Sequence, residues 1–405
     1  MDPLVSRDDF PLLVRAPGEE PLTYLDSAAT AQKPAPVLEA MDRFYRKEYA
    51  SVGRGIYALA EQAAQRYERV REKVASFLGA AHPSEIVFTG NATAAINLVA
   101  MGWGRRILRK GDAVLLTEME HHANLVPWQM LAKERELELR FAKITEAGML
   151  DRGDFERKLD GARLVALAHA SNVLGTINPV TDLANMAHDT GAKVLVDGAQ
   201  AAARLPVNVN ALGADWYVCS AHKLYGPTGI GALWTRRSVY EEMDAVLGGG
   251  GAVKQVSFED ASLADPPGRF EPGTRPVVEA VGFEAAVRYM EKIGMEQVAA
   301  HERSLNTYVL ERLAGIWGLR VLGPADPAAR VGLVSFTVED VHPHDLATLL
   351  DQEGIAIRSG HHCAQPLHER LGIPASARAS WGVYTDTEDI DRLVDGLKKS
   401  LSTLA

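Results

Sequence analysis

The chain has 405 residues, 43 Lys and Arg against 53 Asp and Glu, and a formal net charge of −10. Hydrophobic residues make up 47% and charged residues 24%, which excludes a disordered chain and leads us to expect at least two packed domains. The acidic balance speaks against nucleic acid or an anionic membrane as main partner, and two cysteines, Cys219 and Cys363, exclude a disulfide-built secreted fold. The opening MDPLVSRDDF has neither the basic nor the apolar stretch of a leader, and no apolar run approaches the roughly 18 residues of a membrane span. A cytoplasmic protein with no membrane partner is expected.

In chain order, residues 1–22 are Pro-punctuated and read as an arm packing with the smaller domain. Helical periodicity follows at 37–49 and 61–78, the second ending at Gly79. Then short apolar runs alternate with helical stretches: 86–88 then 92–101, 113–116 then 125–135, 164–168 then 183–190, and runs at 194–196, 216–219 and 231–234. That rhythm predicts βαβ units: an α/β large domain over 23–285, with a mostly parallel sheet flanked by helices. From 286 to 405 the texture becomes that of a smaller α+β domain. A long helical pattern runs to about 317, with strands at 331–338 and 355–357. A last helix starts from a capping box at Thr385 and Glu388.

In open α/β sheets ligands bind beyond the carboxyl ends of the strands, so polar residues that directly follow apolar runs are informative. Asp197 ends one run, and a carboxylate there is costly unless paired. Lys223 follows another and precedes a Gly-rich turn, a setting that lowers an amine's pKa and makes it a nucleophile toward a carbonyl. A Schiff base to pyridoxal phosphate needs such an amine, and its other demands have candidates. Asp197 suits the ring nitrogen, Gln200 or Asn172 the ring oxygen, and His121 the ring face. The turn holding Ala92 and Thr93, with Ser220 and His222, suits the phosphate.

The blocks Leu25-Asp26-Ser27-Ala28-Ala29-Thr30, Glu120-His121-His122-Ala123-Asn124, Ser171-Asn172-Val173-Leu174-Gly175-Thr176, Val196-Asp197-Gly198-Ala199-Gln200 and Ser220-Ala221-His222-Lys223 resemble those of class V, fold-type I pyridoxal-phosphate enzymes. More narrowly they resemble the group II cysteine desulfurases of the SUF type. Cys363, in Gly360-His361-His362-Cys363-Ala364-Gln365, has Gly, His and Arg neighbours, a polar, partly mobile, electropositive setting that favours thiolate, and the resemblance implies that it becomes a persulfide on a short catalytic loop. It further implies that Lys223 is the catalytic base and that His121 assists proton movement. Arg358 and Arg378, with Asn172, bind the carboxylate of L-cysteine. Thr274 reaches the phosphate of a second subunit in a homodimer. The stretch from Gly248 to Phe270 is a hairpin insertion near the site, and His342 meets a small zinc-bearing sulfur acceptor that serves iron–sulfur cluster assembly.

Two Cys/His features have plainer readings. Cys219 ends an apolar strand and reads as an inert buried thiol. Three consecutive residues at 361–363 point alternately to opposite sides and do not make a metal site, so no resident metal is expected. The chain departs from the family pattern at Gly53-Arg54-Gly55-Ile56-Tyr57, Asn91-Ala92-Thr93-Ala94-Ala95 and Arg275-Pro276, which line the substrate side or the phosphate turn. A selenocysteine lyase, another class V enzyme such as an aminotransferase or β-lyase, and a non-catalytic sulfur carrier are the competing readings.

Overall fold

The fold was taken from a computed structural model that describes residues 1–14, 22–53 and 55–404. Arg54, in one of the departures above, lies outside the described residues, as do residues 15–21 of the expected arm.

The large domain is organised by a seven-stranded sheet. Across it the strands run Ile86–Thr89, Gly231–Thr235, Trp216–Ser220, Lys193–Asp197, Ala162–Ala168, Ala113–Thr117 and Glu138–Ala142. Only Gly231–Thr235 runs against its neighbours; the other pairings are parallel. Successive side chains of a strand point to opposite faces. Val165, Leu167, Val194, Val196, Tyr217 and Cys219 therefore enter one core, with the helices Ala35–Lys47, Ala58–Leu78, Val180–Asp189 and Val277–Ile293. Leu164, Ala166, Leu195, Trp216 and Val218 enter the other, under the helices Ala92–Val99 and Val126–Arg135. Both faces being covered explains why these strands read as near-continuous apolar runs.

The parity has a consequence for function. Ala168, Asp197 and Ser220 close three neighbouring strands, and Ala168 stands directly across from Asp197. All three have the parity of the second core, so they emerge on the side where Ala92–Val99 begins. A Cβ on Gly231 would lie 2.6 Å from the Cys219 carbonyl oxygen and 2.8 Å from the Asn91 Cα. Glycine there lets the start of that helix lie against the sheet.

The small domain is a four-stranded antiparallel sheet in the order Leu319–Leu322, Leu333–Val338, Ser376–Ser380, Arg358–Gly360. The helices Met295–Leu313, Pro343–Gln352 and Thr387–Leu404 share its apolar core. The boundary expected at 285 falls inside the continuous helix Val277–Ile293, whose buried residues belong to the large core. The long helical pattern breaks at Gly294, with φ 91°. Nor does the chain from residue 23 start in the large domain. Thr23–Tyr24 pairs with Ile355–Ala356, and Leu25 is buried in the small core. At the N-terminus, Leu4 and Val5 donate to the Val383 carbonyl and Arg7 pairs with Asp389 at 3.1 Å. The last helix is capped one residue later than the sequence suggested. Asp386 accepts the Asp389 N–H at 2.9 Å, and Asp389 returns the bond to the Asp386 N–H at 3.3 Å. Thr385 instead accepts from Gly382. A carboxylate at each position outcompetes the hydroxyl.

Candidate active site

A cavity of about 330 Å³ lies at the carboxyl ends of the large-domain strands and is closed by the small domain. Ala92, Thr93, His121, Asn172, Asp197, Gln200, Ser220, His222, Lys223, Arg358, Cys363 and Arg378 all line it. Of the expected site residues Thr274 stands apart. It is exposed and borders a second, more apolar cavity with Tyr67, Phe88 and Arg275.

Lys223 ends a 3-10 turn, Ala221–Lys223, that directly follows the strand Trp216–Ser220. Its amine makes no hydrogen bond among the described residues, and desolvation lowers its pKa to about 8, against the pull of Asp197. At neutral pH an appreciable part of it is therefore an unprotonated nucleophile. Asp197 is buried and accepts one hydrogen bond, from the Ala199 N–H at 2.9 Å. Burial raises its pKa. A buried carboxylate this thinly supported fits a protonated ring nitrogen as its missing partner.

At the head of Ala92–Val99, Asn91 caps the Ala94 N–H at 2.9 Å and Ser220 Oγ takes the Ala92 N–H at 2.8 Å. The departure at Asn91-Ala92 is thus accommodated by an ordinary N-cap. The N–H and hydroxyl of Thr93 and the hydroxyl proton of Ser220 remain for a phosphate, backed by the helix N-terminus. Gln200 and Asn172 have each committed one amide N–H, to Ala28 O at 2.8 Å and to His362 O at 2.6 Å, and each keeps another.

His121 is neutral: burial and nearby Lys223 lower its pKa to about 3. Its Nδ1 accepts the Ala123 N–H at 3.0 Å, so the proton sits on Nε2. Its position is set by Glu120, which sequence reasoning passed over. This buried carboxylate accepts from Thr117 at 2.5 Å, Asn124 at 2.6 Å and the Ala168 N–H at 3.1 Å, tying the loop to the neighbouring strand. Burial raises its pKa to about 7. A second omission is Lys33, whose half-buried amine donates to the carbonyl oxygens of Ala31 and His222, and burial lowers its pKa to about 8. Glu120 sits inside a quoted motif and Lys33 three residues beyond another, and neither carried a local pattern that marked it out.

Arg358 and Arg378 stand directly opposite each other on adjacent antiparallel strands. Like charges so placed repel unless something intervenes. Asp26 intervenes: it accepts from Arg358 at 2.9 Å and from Arg378 at 3.2 Å. Arg378 is buried, which lowers its pKa to about 10, and its Nε has no partner. Two guanidiniums sharing one carboxylate leave a single net positive charge, matched to one substrate carboxylate.

Cys363 is exposed, whereas Cys219 is buried on the opposite face of the sheet and pushed up to about 12 by burial. The Cys363 thiol interacts electrostatically with both Lys223 and Arg358. Hydrogen bonds tie the loop on several sides. Asn172 holds the His362 carbonyl, the His122 N–H holds the Cys363 carbonyl at 2.7 Å, and the His362 ring meets Ser376 at 3.1 Å. The expected hairpin forms from Val253–Val256 and Ala261–Leu263, with Phe258 fully exposed at its tip. His342 is exposed and caps the helix Pro343–Gln352 by accepting the His344 N–H at 3.2 Å. Among the described residues no cluster of His, Cys, Asp or Glu could hold a metal, and no helix is long and apolar enough to cross a membrane.

The aminotransferase class-V family model matches residues 23–393. A cysteine desulfurase of Haloferax volcanii is 44% identical, with 96% of this chain and 95% of that protein covered. One of Serratia proteamaculans is 46% identical, with 97% of each covered. The solved apo cysteine desulfurase of Thermococcus onnurineus superposes with a TM-score of 0.92 at 41% identity, covering 98% of this chain and 97% of that one. An amine of lowered pKa at a strand end, an under-supported carboxylate beside it and a helix-headed anion cradle fit pyridoxal phosphate, and the chain belongs to the class V aminotransferase family.

Proposed function

We propose that the protein is a cysteine desulfurase of the SUF type, converting L-cysteine to L-alanine and leaving the sulfur on Cys363 as a persulfide. The observation that carries the reading is that Lys223 and Cys363 line one cavity. Pyridoxal phosphate, when bound, supplies an electron sink for the pair released at the substrate's α carbon. Lys223 would hold the cofactor and move the α proton. Asp197 would partner the ring nitrogen, the second N–H of Gln200 or Asn172 the ring oxygen, and His121 the ring face. Thr93, Ser220, His222 and the Ala92 turn would hold its phosphate. Arg358 and Arg378 orient the substrate carboxylate, with Asn172 beside them. The Cys363 thiolate then attacks the substrate sulfur. A sulfur–sulfur bond forms, the substrate's Cβ–S bond breaks, and its electron pair stays on carbon, where a proton completes alanine.

The enzyme works as a cytoplasmic homodimer. Two features support this: Thr274 lies outside its own chain's cavity, and exposed Val256 and Phe258 mark the hairpin as a contact surface. Thr274 then completes the phosphate site of the second subunit. Two free cysteines suit a reducing compartment. The persulfide passes to a small zinc-bearing acceptor for iron–sulfur cluster assembly. Support comes from His342, whose Nδ1 is spent on its helix cap while its Nε2 makes no hydrogen bond among the described residues.

Incubating the purified protein with L-cysteine is expected to give alanine and sulfide. Cys363→Ala is expected to keep the cofactor's visible absorbance and lose sulfide release. Full turnover by that variant would overturn the role of the thiol.

A further inference from the structure

We infer that His122 is a positioning residue for the Cys363 thiol, fastening the small-domain loop that carries it onto the large domain. The inference rests on the desulfurase reading and concerns the same site. His362 and Cys363 are consecutive non-glycine residues in left-handed backbone, with φ 51° and 58°. Such a pair persists only when its surroundings hold it. Packing does not hold Cys363, which is exposed. Hydrogen bonds do, and two of them come from His122. Its backbone N–H donates to the Cys363 carbonyl at 2.7 Å. Its ring Nε2 accepts the Gln365 N–H at 3.1 Å. One residue thus grips the chain on both sides of Ala364. The ring can accept only while Nε2 is unprotonated, which places the proton on Nδ1.

The other ties act elsewhere. Asn172 holds the carbonyl before the thiol, and Arg370 reaches Glu118 at 3.0 Å from the far end of the helix Gln365–Arg370. Among the described residues, His122 alone bonds the backbone of Cys363 itself across the two domains. A nucleophile displaced by about 1 Å can cost about 100-fold in rate, so the grip bears on turnover rather than on substrate binding.

The test compares His122→Ala and His122→Gln in the full-length, cofactor-loaded protein. Both keep the backbone N–H; only glutamine offers an oxygen about where Nε2 sits. His122→Ala is expected to lower kcat about tenfold with KM for L-cysteine within about twofold, since one orienting bond is lost and none to substrate. Cofactor absorbance should be unchanged, and alkylation of Cys363 by iodoacetamide, followed by mass spectrometry without substrate, should accelerate. His122→Gln should restore both kcat and the alkylation rate. Wild-type kcat in His122→Ala, or a His122→Gln variant as slow as alanine, would overturn the inference. If His122→Ala loses its cofactor, the glutamine variant decides alone: near-normal kcat and alkylation support the grip, and loss of either with the cofactor in place refutes it. Failure of the desulfurase reading looks different. Cys363→Ala would then turn over normally, while the alkylation comparison would still report whether His122 holds the loop.

Discussion

The Lys223 half of the cavity is made of strand ends, and the Cys363 half of a loop held by hydrogen bonds. In the first, Asp197, Ser220 and Lys223 inherit their positions from a buried sheet whose register is fixed by two cores. In the second, the thiol sits on left-handed backbone at the surface, kept there by Asn172, His122 and Ser376. Burial tunes the chemistry of the first half: it lowers the pKa of the Lys223 amine and leaves Asp197 short of a partner. Geometry tunes the second, where a nucleophile must be both accessible and aimed. Mutations should therefore fail in different ways on the two sides.

The largest effect is expected at Lys223. Lys223→Ala should remove the covalently held cofactor absorbance and lower turnover by about 1,000-fold or more, measured as alanine formed from L-cysteine. Retention of either would break the assignment of the floor. Next, Asp26→Asn should act on substrate binding. It withdraws the charge that balances Arg358 and Arg378, so KM for L-cysteine should shift by about tenfold while cofactor uptake is unaffected; charged hydrogen bonds of this kind are each worth about 1.5–3 kcal/mol. An unchanged KM would show that the carboxylate does not set the arginine pair.

The burial of Lys223 gives a pH prediction. Only the unprotonated amine attacks the cofactor's aldehyde, and its pKa is lowered to about 8. Uptake of pyridoxal phosphate by the cofactor-free protein should therefore speed up as pH rises through about 8 and then level off. A rate still climbing well beyond that pH would mean that the amine behaves as an ordinary exposed lysine. The smallest effect belongs to the second cysteine. Cys219→Ser puts a hydroxyl into a dry core and should cost about 1–3 kcal/mol in denaturant unfolding, with turnover nearly unchanged.

The same contrast explains what could be read in the sequence. Polar residues closing apolar runs announced the floor, because a buried parallel sheet leaves a strong period and puts ligands at its strand ends. Lys223, Asp197, Ser220 and Thr93 were legible for that reason, and the family resemblance added Cys363, Arg358 and Arg378. The strand Glu138–Ala142 was missed because it is an edge strand, largely half-buried or exposed, and carries charges. The short strands Arg358–Gly360 and Ser376–Ser380 were missed because they lack the apolar run that marks a core strand. Asp26 and His122 act through contacts far apart in sequence, with residues 358, 378, 363 and 365, and no local pattern encodes those meetings. The boundary at 285 failed because the helix Val277–Ile293 and its successor share one helical period, and only Gly294 divides them.

The most direct test of the account follows the sulfur itself. Protein exposed to L-cysteine and quenched with an alkylating agent should, by mass spectrometry, carry one added sulfur on the peptide containing Cys363 and none on that containing Cys219. The label should vanish in Lys223→Ala although its thiol is intact. Sulfur on Cys363 in that variant, or alanine produced by the wild type with Cys363 never modified, would contradict the coupling of the two halves.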